Sequence, residues 1–163
     1  MPEFILDHGS AETAKQFRAL DSFTQGYIEA LFFTDEEQLC EDSGREMAAA
    51  AINLETMESR FVGGDSSGFG DLAADTLAMI VSDCHKFQVA AADILFPVYE
   101  SGIDYAPDQA GRDFWYTRNG HGVGFWDRGL GKVGDRLAAL CGHGTAFPGV
   151  DSYVGDDGLI YLA

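Results

Sequence analysis

The residues best suited to chemistry crowd into one turn, Arg118-Asn119-Gly120-His121-Gly122, followed by Asp127-Arg128. An imidazole titrates near neutral pH, so His121 suits general acid–base work, with Asp127 available to orient its second ring nitrogen. No Ser or Cys nucleophile is adjacent in sequence, and Cys84 or Cys141 could approach only through the fold. A structural explanation competes and is preferred: Gly120, Gly122 and Gly124 permit positive φ, while Arg118 and Arg128 can pair with Asp113 and Asp127 across a hairpin. No residue is assigned a catalytic role.

Metal and phosphate chemistry are weaker still. Cys84-His85 and Cys141-Gly142-His143 supply zinc-type donors, but adjacent residues on a helix diverge by about 100° and share a metal poorly. Cys84 also falls on an apolar stripe, which favours a core position. The segment Asp65–Asp71 has calcium-loop composition without the EF-hand spacing and closing Glu, and Gly129-Leu130-Gly131 lacks the Gly-Lys-Ser/Thr of a phosphate loop. No metal and no cofactor are expected.

Charge carries more information. The 163 residues hold 27 acidic and 10 basic side chains, a net charge of −17. Phosphate binding needs the opposite sign, so direct nucleic-acid binding is excluded as an expectation. Residues 1–111 carry 21 acids and five bases, whereas residues 112–163 carry six and five. Two windows lack Lys and Arg altogether: Arg18 to Arg45 encloses Asp21, Glu29, Asp35, Glu36, Glu37, Glu41 and Asp42, and Lys86 to Arg112 encloses Asp93, Glu100, Asp104 and Asp108. A generic solvated face intersperses both signs because like charges repel. Solubility or adaptation to salt is the bland alternative. Apolar residues form 46% of the chain, enough for a real core, and three widely spaced cysteines imply no disulfide framework. No apolar run reaches the roughly 20 residues of a membrane span, and no signal segment is read, so the expected compartment is the cytoplasm.

The elements that must position these groups read as helices first. Ser22-Phe23-Thr24-Gln25 resembles a capping box, and Leu20, Phe23, Tyr27, Ala30 and Leu31 follow at helical spacing, giving a helix over 21–33 with an extension back through 11–19. A second box at Ser43-Gly44-Arg45-Glu46 opens a helix over 46–58, and the Gly/Ser run 63–70 reads as a mobile loop. Leu72, Leu77, Ile80, Cys84, Phe87 and Ala91 predict a helix over 71–94, stopped by Pro97. After residue 111 the pattern turns β-prone. Phe114–Thr117 and Val123–Trp126 flank Asn119-Gly120, predicting a hairpin with Tyr116 opposite Val123 and Phe114 opposite Phe125. Val133, Leu137 and Leu140 give a short helix closed by Gly142, and Tyr153-Val154 with Ile160–Leu162 around Asp157-Gly158 gives a second hairpin. The fold class is α+β: one domain over 1–163, with N-terminal helices packed on a small antiparallel sheet of two C-terminal hairpins and an intervening helix.

The run from Asp113 to Gly131, DFWYTRNGHGVGFWDRGLG, together with Gly134-Asp135-Arg136-Leu137 and Tyr153–Tyr161, resembles a family of small acidic proteins carried by bacteriophages and plasmids. The similarity extends to 23–34 and 71–87, while 41–70 reads as an insertion. The resemblance implies a mobile element in a bacterial host and brings no catalytic residues. By analogy with anti-restriction and anti-CRISPR proteins that mimic DNA, it implies a non-catalytic inhibitor of a host defence protein. Carboxylates three or four apart on a helix lie about 5–6 Å apart, near the spacing of phosphates, so a rigid acidic face could enter a basic nucleic-acid groove. Glu29, Asp35, Glu36, Glu37, Glu41 and Asp42 form the densest candidate face, extended by Glu55, Glu58, Asp104 and Asp108. Trp115, Arg118, His121, Trp126, Asp127 and Arg128 form a secondary recognition surface, with an aromatic dimer seam as a further option. The alternatives are a small enzyme using His121 and Asp127, or an accessory phage protein acidic for solubility alone.

Overall fold

Helix boundaries here are set by side chains that accept orphan amides. Ser10 accepts the Thr13 amide (3.2 Å) and opens α1 (Ala11–Ala19). Asp21, one residue before the expected Ser22, accepts the Thr24 amide (2.8 Å) and opens α2 (Ser22–Ser43). Gln88 of α3 (Ala74–Ala90) also donates to Asp21 (3.1 Å), so the cap doubles as a tie between helices. Gln25 donates to the carbonyls of Phe17 (3.2 Å) and Leu20 (2.9 Å), which holds the bend between α1 and α2. The computed structural model describes residues 4–44 and 68–163. The expected helix over 46–58 and residues 63–67 of the expected loop lie outside those described. Residues 41–43, assigned above to an insertion, complete α2, which Gly44 ends in the left-handed region (φ 72°).

The expected 71–94 helix is two helices. α3 ends at Ala90, and after Ala91 α4 (Ala92–Glu100) follows with Pro97 inside it rather than after it. Pro97 removes one helical donor, yet α4 continues to Glu100, and the Ser101 hydroxyl donates to the Val98 carbonyl (2.6 Å).

The largest correction concerns Phe114–Trp126. In place of a hairpin, residues Pro107–Arg118 form α5, entered by Pro107 in the first turn. Asn119 ends the helix and Gly120 (φ 70°) follows in the left-handed region. Asn-Gly can close a hairpin or terminate a helix, since both uses need a residue tolerant of positive φ. Tertiary packing decides between them. α5 crosses α2 with Gly111 against the Phe23 backbone and Gly26 against the Asp108 backbone, so close that a Cβ at either glycine would collide with the facing carbonyl. Phe114 stacks on Phe87 at 4.2 Å, and Tyr27, Trp115, Phe125 and Phe147 close the same aromatic core. Phe114, Trp115, Tyr116 and Phe125 are all buried, whereas Val123 and Trp126 are exposed, so the expected cross-strand pairs do not form. Phe125–Asp127 is a single tight turn, closed by Asp127 accepting the Gly124 amide (3.1 Å).

The short helix α6 (Lys132–Ala138) follows as expected, ending four residues before Gly142, whose amide instead bonds the Phe147 carbonyl (2.9 Å). The second hairpin also forms. β1 (Ser152–Val154) pairs antiparallel with β2 (Ile160–Leu162), in the register Ser152–Leu162, Tyr153–Tyr161 and Val154–Ile160, around Gly158 at φ 79°. The fold is α+β, with a single two-stranded sheet among the described residues in place of the expected two hairpins.

Candidate functional site

Three arginines on the C-terminal side are spent internally. Asp113, fully buried on α5, accepts Arg128 through Nε (3.0 Å) and Nη2 (2.8 Å) and also receives the Tyr105 hydroxyl (2.8 Å) and Gln109 (3.2 Å). Hydrogen bonding to Asp113 raises the Arg128 guanidinium; burial, reinforced by Asp113, raises the Tyr105 phenol. Arg118, nearly buried, binds Asp83 (2.9 Å), the Tyr27 hydroxyl (3.1 Å) and the Pro148 carbonyl (2.9 Å), with its guanidinium over the Phe114 ring. Arg112 binds Glu29 (2.7 Å) and Asp108 (3.2 Å). The expected pairing of Arg118 and Arg128 with Asp113 and Asp127 is therefore corrected: Arg128 takes Asp113, Arg118 takes Asp83, and Asp127 holds its own turn.

These bonds divide the candidate acidic face. Glu29 and Asp108 are neutralised by Arg112, an arginine the sequence reading did not single out; its i,i+4 spacing from Asp108 has meaning only once 107–118 is a helix. Glu36 is 2% exposed and presents no carboxylate to a partner, which corrects its place on the face. Asp35 accepts Ser152 (2.6 Å) and Thr34 (2.8 Å), and Thr34 accepts the Trp115 indole (2.9 Å), so Asp35 joins α2 to β1 and α5. Glu37, Glu41 and Asp42 stay exposed at the C-terminal end of α2, and Asp104 is exposed elsewhere, after α4. Glu55 and Glu58 lie outside the described residues.

α2 has no basic residue in its last turn, and no cation among the described residues reaches Glu37, Glu41 or Asp42. A helix C-terminus carries partial negative charge, so Glu41 and Asp42 in the last turn oppose the dipole by about 0.3–1 kcal/mol each, while Glu37 lies one turn further in. This arrangement costs stability that a neutral residue would spare.

The secondary surface is also divided. Trp115 and Arg118 are buried and reach the surface only where they line the cleft that also holds His121, Arg128 is half-buried on Asp113, and Trp126 and Asp127 remain exposed. His121 is half-buried at a polar cleft of about 350 Å³ lined also by Asp35, Asn119 and Asp151. Its ring meets Tyr116 edge-on at 6.0 Å, and its imidazole makes no hydrogen bond among the described residues. Asp151 was not foreseen there; nothing in the linear spacing brings it near His121.

No family model matches this chain. No curated protein and no solved structure matches it either. Function must therefore be argued from its own side chains. Among the described residues no three His, Cys, Asp or Glu side chains group to hold a metal, and no helix is long and apolar enough to cross a membrane. Cys84 is fully buried with burial pushing its thiol up, and burial pushes the half-buried Cys141 thiol to about 12, so neither is an activated nucleophile at neutral pH.

Proposed function

We propose that this protein is a non-catalytic inhibitor, borne by a mobile genetic element, that presents the C-terminal end of α2 to the basic nucleic-acid groove of a bacterial defence protein. One observation supports the reading above the others. Glu37 and Glu41 stand one helical turn apart, with Asp42 beside them, toward a helix end where negative charge is unfavourable, whereas Glu29, Asp83, Asp108 and Asp113 are each matched to an arginine. Stability-adverse charge at an exposed position is the signature of a binding surface rather than of a scaffold. The net charge of −17 would speed encounter with a cationic groove and make affinity fall with salt. Catalysis is the weaker reading, because Asp127 closes its own turn and among the described residues no hydrogen bond orients the His121 imidazole.

The test is capture of bacterial lysate proteins on the immobilised chain at low salt, with and without competing duplex DNA. The expected result is a retained nucleic-acid-binding protein that DNA displaces and that a Glu37→Gln/Glu41→Gln/Asp42→Asn variant fails to retain. Retention that survives both DNA and the triple variant overturns the proposal.

A further inference from the structure

The polar cleft beside His121 gathers hydrogen-bond acceptors from three segments. Asp35 comes from α2, Arg118 from the C-terminal end of α5, and Gly149 and Asp151 from the chain leading into β1. Its volume of about 350 Å³ falls in the size class of small-molecule sites. The half-buried Asp35 carboxylate accepts the hydroxyls of Ser152 (2.6 Å) and Thr34 (2.8 Å), but it forms no ion pair among the described residues. Asp151 is exposed, and its carboxylate has neither a hydrogen bond nor an ion pair among those residues. No Lys or Arg falls between Arg136 and Ala163, so the Gly149–Asp151 wall carries no cation of its own.

Arg118 lines the cleft, but its charge is spent elsewhere. Its side chain is 3% exposed, with Nε on the Pro148 carbonyl and Nη1 on Asp83 and the Tyr27 hydroxyl. Its carbonyl is a different matter. A Cβ on Gly149 would stand 3.2 Å from that oxygen, so glycine at this position keeps the carbonyl uncovered. The oxygen accepts no hydrogen bond among the described residues, because α5 ends at Arg118 and no following amide returns to it. The end of a twelve-residue helix adds partial negative charge at the same place.

Two unpaired carboxylates and an orphaned helix-end carbonyl ask for a cation that donates several hydrogen bonds. An alkylammonium group has three N–H donors, one positive charge and no acceptor. A metal ion fits less well, since no three His, Cys, Asp or Glu side chains group to hold one among the described residues. The His121 imidazole lines the same cleft without a hydrogen bond that a ligand would have to displace. We infer that this cleft binds the ammonium group of a small aliphatic amine, held by the Asp35 and Asp151 carboxylates and the Arg118 carbonyl. The site is separate from the acidic end of α2 and does not rest on the inhibitor reading.

The experiment titrates n-butylamine into the full chain at neutral pH and follows amide shifts by NMR. n-Butanol supplies the same stem without charge, and N,N,N-trimethylbutylammonium supplies the charge without N–H donors. The second control is needed because a net charge of −17 attracts any cation. The expected result is saturable shifts at 118–122, at 149–152 and around Asp35, with butylamine binding about tenfold tighter than the trimethylated ion and butanol giving none. Asp151→Asn should weaken binding about tenfold, and Gly149→Ala several-fold by crowding the Arg118 carbonyl. The Asp151 side chain bonds nothing in the fold, so its variant stays informative where Asp35→Asn would also loosen Ser152 and Thr34. Glu37→Gln/Glu41→Gln/Asp42→Asn should bind butylamine as the parent does. Equal affinity for the trimethylated ion, full binding by Asp151→Asn, shifts centred on Glu37–Asp42, or no saturable binding would overturn the proposal.

Discussion

The α5 side of the molecule and the C-terminal end of α2 treat carboxylates in opposite ways. Asp113 is wholly enclosed by Arg128, Tyr105 and Gln109, and the part-exposed Asp83 is paired with the buried Arg118. Glu37, Glu41 and Asp42 have no cation among the described residues, and Glu41 and Asp42 stand against the helix dipole. A buried carboxylate stripped of its partner costs about 3–5 kcal/mol, so Asp113 is matched to a base and to hydrogen-bond donors; an exposed one costs only fractions of a kcal/mol and can be kept for another purpose. Charge near the arginine-rich motif is structural, and charge at the end of α2 is available.

The largest effect should follow from breaking the enclosed side. Arg128→Ala strands the Asp113 carboxylate in the core and should cost about 3–5 kcal/mol, read by chemical denaturation, with no gain from added salt. Arg112→Ala should cost far less, about 0.2–1 kcal/mol, because Glu29 and Asp108 are part-exposed and water replaces the guanidinium. Equal losses in the two variants would erase the distinction between the regions.

This distinction was only partly legible in the sequence. The stripe Phe23, Tyr27, Ala30 and Leu31 marked α2 because helical spacing survives whatever packs against it, and Asp157-Gly158 marked the second hairpin because that turn needs positive φ. The stretch Phe114–Tyr116 misled because its aromatic residues favour strands locally, whereas the glycine contacts at Gly26 and Gly111 that draw α5 onto α2 are long-range. Once 107–118 is helical, Arg112 turns toward Glu29, and Glu29 and Asp108 of the expected acidic face are neutralised for a reason no local window contains. The density of acids on α2 was legible; which of them are buried, paired or left over was decided by the crossing.

Smaller effects sharpen the contrast. Glu41→Lys with Asp42→Lys should raise stability by about 0.3–1 kcal/mol per site at low salt, and the gain should shrink as salt screens the dipole. Smallest is a pH effect at the other end of the molecule. Burial against Phe17 lowers the His8 imidazole below its ordinary value, outweighing the pull of Glu29 and Asp7. The folded state then binds the proton less readily than the unfolded chain, so stability is full above about pH 6.5 and falls as pH drops through the lower folded value. His8→Gln should flatten the melting temperature between pH 7 and 5.5, where a slope unchanged from the parent would assign the loss to other groups.

One paired measurement reaches the central claim most directly: the melting temperature of Glu41→Lys/Asp42→Lys, taken alongside retention of the DNA-displaceable partner at the same low salt. The account predicts opposite signs, stability rising while retention is lost. Stability falling together with retention, or retention unchanged, would mean that the end of α2 serves the fold or nothing at all.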